Sequence, residues 1–166
     1  MHQNPYAVDL GDRDPIAAMR ETPARIGAIA AAWSRADFER SYAPGKWAAR
    51  QVLTHLAQAE LALGTRARMA LTTAGYSAQS FDQDGWMARE SSLDGRTALN
   101  AFLAVAAMNA ELFASLSPAD RAATLSHPEY GSLTVDWIIQ QMAGHQIHHL
   151  KQLEEIATLT ATRVVG

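Results

Sequence analysis

Apolar residues recur at helical spacing along most of the chain. Val52, Leu56, Ala59 and Leu63 share one face at the 3.6-residue period and predict a helix from Trp47 to about Thr73. Leu99, Phe102, Leu103, Ala106, Ala110 and Phe113 form the buried stripe of another, from about Gly95 to Leu116. Thr134 caps a last helix reaching about Thr158, with Ile138, Met142, Leu153 and Ile156 on its apolar face. Nearer the start, Asp14-Pro15 and Thr22-Pro23 each read as a cap followed by a first-turn proline. This fits one helix bent at Pro23, or a short turn before a helix over 23–35. A mid-helix proline costs about 3 kcal/mol, which favours the second.

Breaks fall between these segments. YAPGK (42–46) separates the first two helices and Gly75 ends the second. The connection over 75–92 carries FDQDGW and is long enough to be functional or to cross from one end to the other. Ser117-Pro118 stops the third helix and HPEYGS (127–132) reads as a turn, while residues 1–13 read as an irregular N-terminal arm. No convincing alternating strand appears. The pattern predicts an all-α fold, a four-helix bundle with a long crossover connection between the second and third helices, as a single domain over 1–166.

Composition narrows the function. Net charge is -3 and the pI is about 6.0, which argues against a nucleic-acid partner. There is no cysteine, so disulfides, a cysteine nucleophile and thiolate metal ligands are excluded. The N-terminus lacks a signal-peptide pattern, and no apolar run approaches the ~18 residues of a membrane span. The expectation is a cytoplasmic protein without a membrane partner.

The informative stretch is VDWIIQQMAGHQIHHLKQLEEI, 135–156. At about 100° per residue, His145 lies about 20° to one side of Ile138 and His149 about 20° to the other. Both point into the bundle at i and i+4, a spacing that recurs in helical zinc sites. His148 falls about 80° away, toward the edge. Buried imidazoles without partners are costly, and a shared divalent cation removes that penalty. His55, on the flank of the second helix, is placed to reach the pair in an antiparallel bundle. A pH-sensitive packing cluster is the alternative. His127, before a proline in a turn, reads as a surface residue. Glu60 is about 140° from His55 and reads as a surface or supporting group.

The segments PGKWAARQVLTHLAQAE (44–60) and HPEYGSLTVDW…GHQIHHLKQL (127–153) resemble, in that order, the two signatures of the DinB/YfiT-like superfamily. The resemblance implies a four-helix bundle, often a homodimer, with a divalent metal, Zn or Ni, on three histidines. Those positions match His55, His145 and His149. Gln152 falls beside His149, and Asp82, Asp84, Trp86 and Tyr130 are candidates for pocket or supporting roles. Relatives include S-transferases that use a low-molecular-weight thiol and a thiol-dependent isomerase.

Two classes of function follow. One is a metal-dependent enzyme acting on a small-molecule substrate, either a thiol S-transferase or a hydrolase using water. With no cysteine in the chain, any thiol would be a diffusible co-substrate. The other is a non-enzymatic stress-response or binding module with a structural metal or none.

Overall fold

The computed structural model describes residues 3–161; of the six histidines in the sequence, His2 lies outside them. Four long helices form the bundle: α2 (Pro15–Ala30), α4 (Ala49–Thr72), α6 (Gly95–Ala114) and α8 (Val135–Ala161). Short helices α1 (Ala7–Leu10), α3 (Arg35–Phe38), α5 (Gln83–Arg89) and α7 (Pro118–Arg121) and a hairpin, β1 (Thr124–His127) with β2 (Gly131–Thr134), fill the connections. α4 packs on α6 and α8, and α2 packs on the same two helices.

The core has two ends. One cluster joins Met19, Leu63, Ala67, Phe113, Ile138 and Met142. The other joins Ile26, Val52, Leu53, Leu56, Phe102, Leu153 and Ile156. Residue numbers rise from the second cluster to the first along both α4 and α6, so these neighbours are parallel. α2 and α8 run the opposite way. A parallel pair needs a connection that returns the length of the bundle, and residues 73–94 make that crossover, with α5 inside it.

The caps follow the chemistry of the sequence. Asp14 accepts the Ala17 N–H at 2.7 Å at the start of α2, and Thr134 Oγ1 accepts the Trp137 N–H at 3.1 Å in α8. Asp94 accepts two N–H groups at the start of α6. Gly75, at φ +70°, follows the end of α4.

Four expectations are corrected. Pro23 does not start a helix: α2 runs through it. Its neighbours Met19 and Ile26 are buried, a gain of roughly 3–6 kcal/mol for two such side chains, which outweighs the lost hydrogen bond. α2 ends at Ala30, because Ser34 and Asp37 close a capping box on α3. The turn at 127–132 belongs to a hairpin in which Leu125 faces Leu133; strands of four residues are too short to show a period. The arm is not wholly irregular, since Ala7–Leu10 form a helical turn that packs on α8. Finally, α6 is long and apolar enough to cross a membrane by length and composition, although its Leu99, Phe102, Ala106, Ala110 and Phe113 are buried in the bundle.

Candidate metal centre

Between the two apolar clusters lies a layer of buried polar side chains: His55, Gln58, Glu60, Asn109, His145, Gln146 and His149. His55 comes from the first third of α4. His145 and His149 come from consecutive turns of the antiparallel α8. The three rings converge. His145 Nε2 lies 2.9 Å from His55 Nε2 and 3.0 Å from His149 Nε2.

This geometry is unusual for free imidazoles. A neutral ring presents either one proton or one lone pair at Nε2, so His145 Nε2 can make a well-formed hydrogen bond to one neighbour but not to both. A cation accepts all three lone pairs at once, so the donor set fits one. No carboxylate joins this cluster among the described residues.

Burial keeps the rings neutral. It lowers His55 to about 3 and His149 to about 4, and lowers His145 as well, with neighbouring histidines adding to the effect on each. Trp47 lies 5.1 Å from the His55 ring and Phe81 stacks 6.3 Å from it. His149 Nδ1 lies 2.8 Å from Gln152 Oε1, which places the His149 proton on Nδ1 and turns the Nε2 lone pair to the centre. His55 Nδ1 is buried without a hydrogen-bond partner. His148 points away and pairs with Asp9 at 3.3 Å.

A cavity of about 200 Å³ opens onto His55 and His145. Tyr130 lines it, together with Tyr6, Phe81, Arg66 and His127. The other candidates sit elsewhere. Asp82 is the N-cap of α5, accepting the Gly85 N–H at 2.9 Å, and Asp84 is exposed on the same helix. Trp86 is 40% exposed and packs edge-on against Phe81, so it meets the site only through that ring.

Sequence reasoning missed three features. Tyr6 sits edge-on to His145, ring centroids 5.0 Å apart. It enters because α8 has glycine at 144: a Cβ there would collide with the Tyr6 carbonyl oxygen and come within 2.8 Å of its Cβ. A glycine inside GHQIHH was the available signal for a close approach. We expect Gly144→Ala to force the arm off α8. Amide exchange over 7–11 should rise at least about tenfold while the long helices keep their protection. Unchanged exchange would show that the arm is not held there.

The second is Glu60, which is buried and not a surface group. Its carboxylate accepts from Asn109 Nδ2 at 2.7 Å and Gln146 Nε2 at 2.6 Å, tying α4, α6 and α8 together. Burial raises it to about 7 against the lowering effect of both hydrogen bonds. Asn109, on the edge of the α6 stripe, was the sequence sign of a polar partner inside. The third is His127, which is buried rather than a surface turn residue.

The family model of the DinB superfamily matches residues 18–153. Two proposed metal-dependent hydrolases of Oceanobacillus iheyensis are similar. One is 29% identical over 72% of this chain and 70% of its own length, the other 23% identical over 78% and 76%. Among solved structures, YfiT from Bacillus subtilis, described as a probable metal-dependent hydrolase with an unusual four-helix bundle topology, superimposes with a TM-score of 0.78. It is 20% identical, over 89% of this chain and 86% of its own. A mycothiol-dependent maleylpyruvate isomerase gives a TM-score of 0.70 at 15% identity, over 84% of this chain and 59% of its own. At these identities the two structures establish the fold.

Proposed function

The chain belongs to the DinB superfamily, and from that premise we propose that it is a metal-dependent hydrolase of a small-molecule substrate, with His55, His145 and His149 holding one divalent ion, zinc or nickel. The observation that carries this reading is the convergence of three neutral Nε2 atoms, with two of their rings, His55 and His145, at the wall of a cavity. A bound ion would supply Lewis acidity and make a small nucleophile available at neutral pH.

The protein's own residues set the conditions. Three neutral imidazoles would leave the charge of a bound ion undiminished, and no carboxylate completes the cluster among the described residues, so the ion would remain available to a small ligand. Gln152 holds the His149 ring in one tautomer. Trp47 and Phe81 shield His55 on the side of the crossover. Tyr6 and Tyr130 present rings at the same cavity and bound the substrate.

A second reading keeps the same ligands and exchanges water for a low-molecular-weight thiol. It is favoured by the fold shared with a mycothiol-dependent enzyme and by the absence of cysteine, which leaves any thiol to come from outside the chain. The homodimer belongs to the same proposal and is read by light scattering of the purified chain. The function is tested by metal analysis of untagged protein, followed by ester, amide and thiol-transfer assays on the loaded form. About one ion per chain, with turnover that disappears on chelation and returns on reloading, is the expected result. A chain that takes up neither zinc nor nickel overturns it.

A further inference from the structure

The cavity extends well beyond the histidines. Along α4 its lining residues succeed one another roughly a turn apart: His55, Ala59, Leu63 and Arg66. Arg66 is thus about 16 Å along the helix from His55, measured between backbones. Its side chain is half-buried and makes one hydrogen bond among the described residues, from Nη2 to the Gln79 carbonyl oxygen in the crossover. It forms none of the ion pairs found among those residues. The remaining guanidinium donors are not among the buried unpartnered atoms of the described residues, so they stay open to a ligand in the cavity they line.

His127 reaches the same cavity from β1. Its Nδ1 faces the backbone N–H groups of Glu129, at 3.2 Å, and Tyr130, at 3.4 Å, and accepts from both. The ring proton is therefore on Nε2, which leaves an N–H donor on a ring that lines the cavity. Burial and the nearby Arg66 charge hold His127 below its usual range, so it stays a neutral donor. Glu129 also lines the cavity, but it is exposed at the rim and takes the Ser80 hydroxyl at 3.2 Å.

We infer that Arg66 and His127 form an anion subsite, and that the substrate carries a carboxylate or phosphate group held there while its reacting end meets the three histidines. The guanidinium fork matches either oxyanion, and a neutral imidazole N–H adds a donor of fixed direction. The inference about substrate rests on the proposed function; the subsite itself does not.

The test separates the two. Inorganic phosphate and propionate are titrated into the metal-free full-length chain, reading the Arg66 Nε–H and His127 imidazole signals by NMR. Saturable shifts of both are expected with at least one anion, and the tighter one names the substrate's group. Arg66→Gln should weaken binding at least about tenfold, as loss of a charge-assisted contact does. His127→Phe should do the same where the amide spectrum shows it folded, and Arg66→Gln decides alone where it does not. His55→Ala should bind within about twofold of wild type, because it removes a proposed metal ligand and not an anion donor. Failure of metal uptake with anion binding intact would sink the proposed function and leave the subsite standing. Absence of shifts up to tens of millimolar of either anion, or equal binding by Arg66→Gln, overturns the subsite.

Discussion

His145→Ala should empty the metal centre. His145 Nε2 is the shared member of both close contacts, so its loss leaves His55 and His149 without a common third ligand. Metal content should fall from about one ion per chain to below about one in ten, and metal-dependent turnover should fall with it. The stabilisation that excess metal confers should vanish too; for wild type it is about 2.7 kcal/mol at one hundred times the dissociation constant. His55→Ala and His149→Ala should behave alike. Gln152→Ala should be milder, weakening affinity by roughly 10–100-fold, because it frees the His149 ring without removing a ligand. His148→Ala should keep the metal, since that side chain is paired with Asp9. Elemental analysis and melting curves with and without zinc decide the matter. Retention of a full ion by His145→Ala would refute the three-histidine site.

Glu60→Gln should become more stable than wild type as pH rises. The folded carboxyl titrates at about 7 and the unfolded one at its ordinary 4.5. A raised folded pKa means the native state binds the proton more tightly. Below about 4.5 both states are protonated and the carboxyl resembles the amide, so the variants should be nearly equal. Between 4.5 and 7 the unfolded wild type releases its proton first and wild type loses stability. Above 7 the loss is complete, at about 3 kcal/mol. Glutamine carries no such term, so the difference between the two proteins should grow over that window and then level off. Denaturant unfolding at pH 4.5, 6 and 8 measures it, and a difference that does not vary with pH would show that Glu60 is solvated in the native state. The histidines titrate in both proteins and cancel from the comparison.

α4, α6 and α8 were legible because each repeats its apolar signal over many turns, with ends marked by residues that have one local job, such as Gly75 after α4 and Thr134 before α8. The i, i+4 pair of His145 and His149 was legible for the same reason: a helix wheel fixes which way both rings point. His55 is different, since its meeting with the pair depends on how α4 and α8 pass one another, which no local pattern encodes. Glu60 was misjudged because a wheel gives an angle and not what lies opposite; its angle faces Asn109 and Gln146, side chains of two other helices. Tyr6 was out of reach, because its contact depends on an arm folding back across about 140 residues of sequence onto Gly144. Pro23 shows propensity yielding to packing.

Because α4 and α6 are parallel, the chain must pass the cavity on its way back. The three clustered histidines ride on two long helices whose other faces build the core, so a shift of either helix disturbs the cluster and the core together. Phe81 and Gln83 from the crossover, with Tyr130 from the hairpin, shape the opposite wall and carry far less of the core. On the proposed function, reactivity and selectivity would therefore be written on separately mutable stretches of chain, a modular arrangement in which changes to the crossover and hairpin would alter the substrate and leave the reactive centre in place.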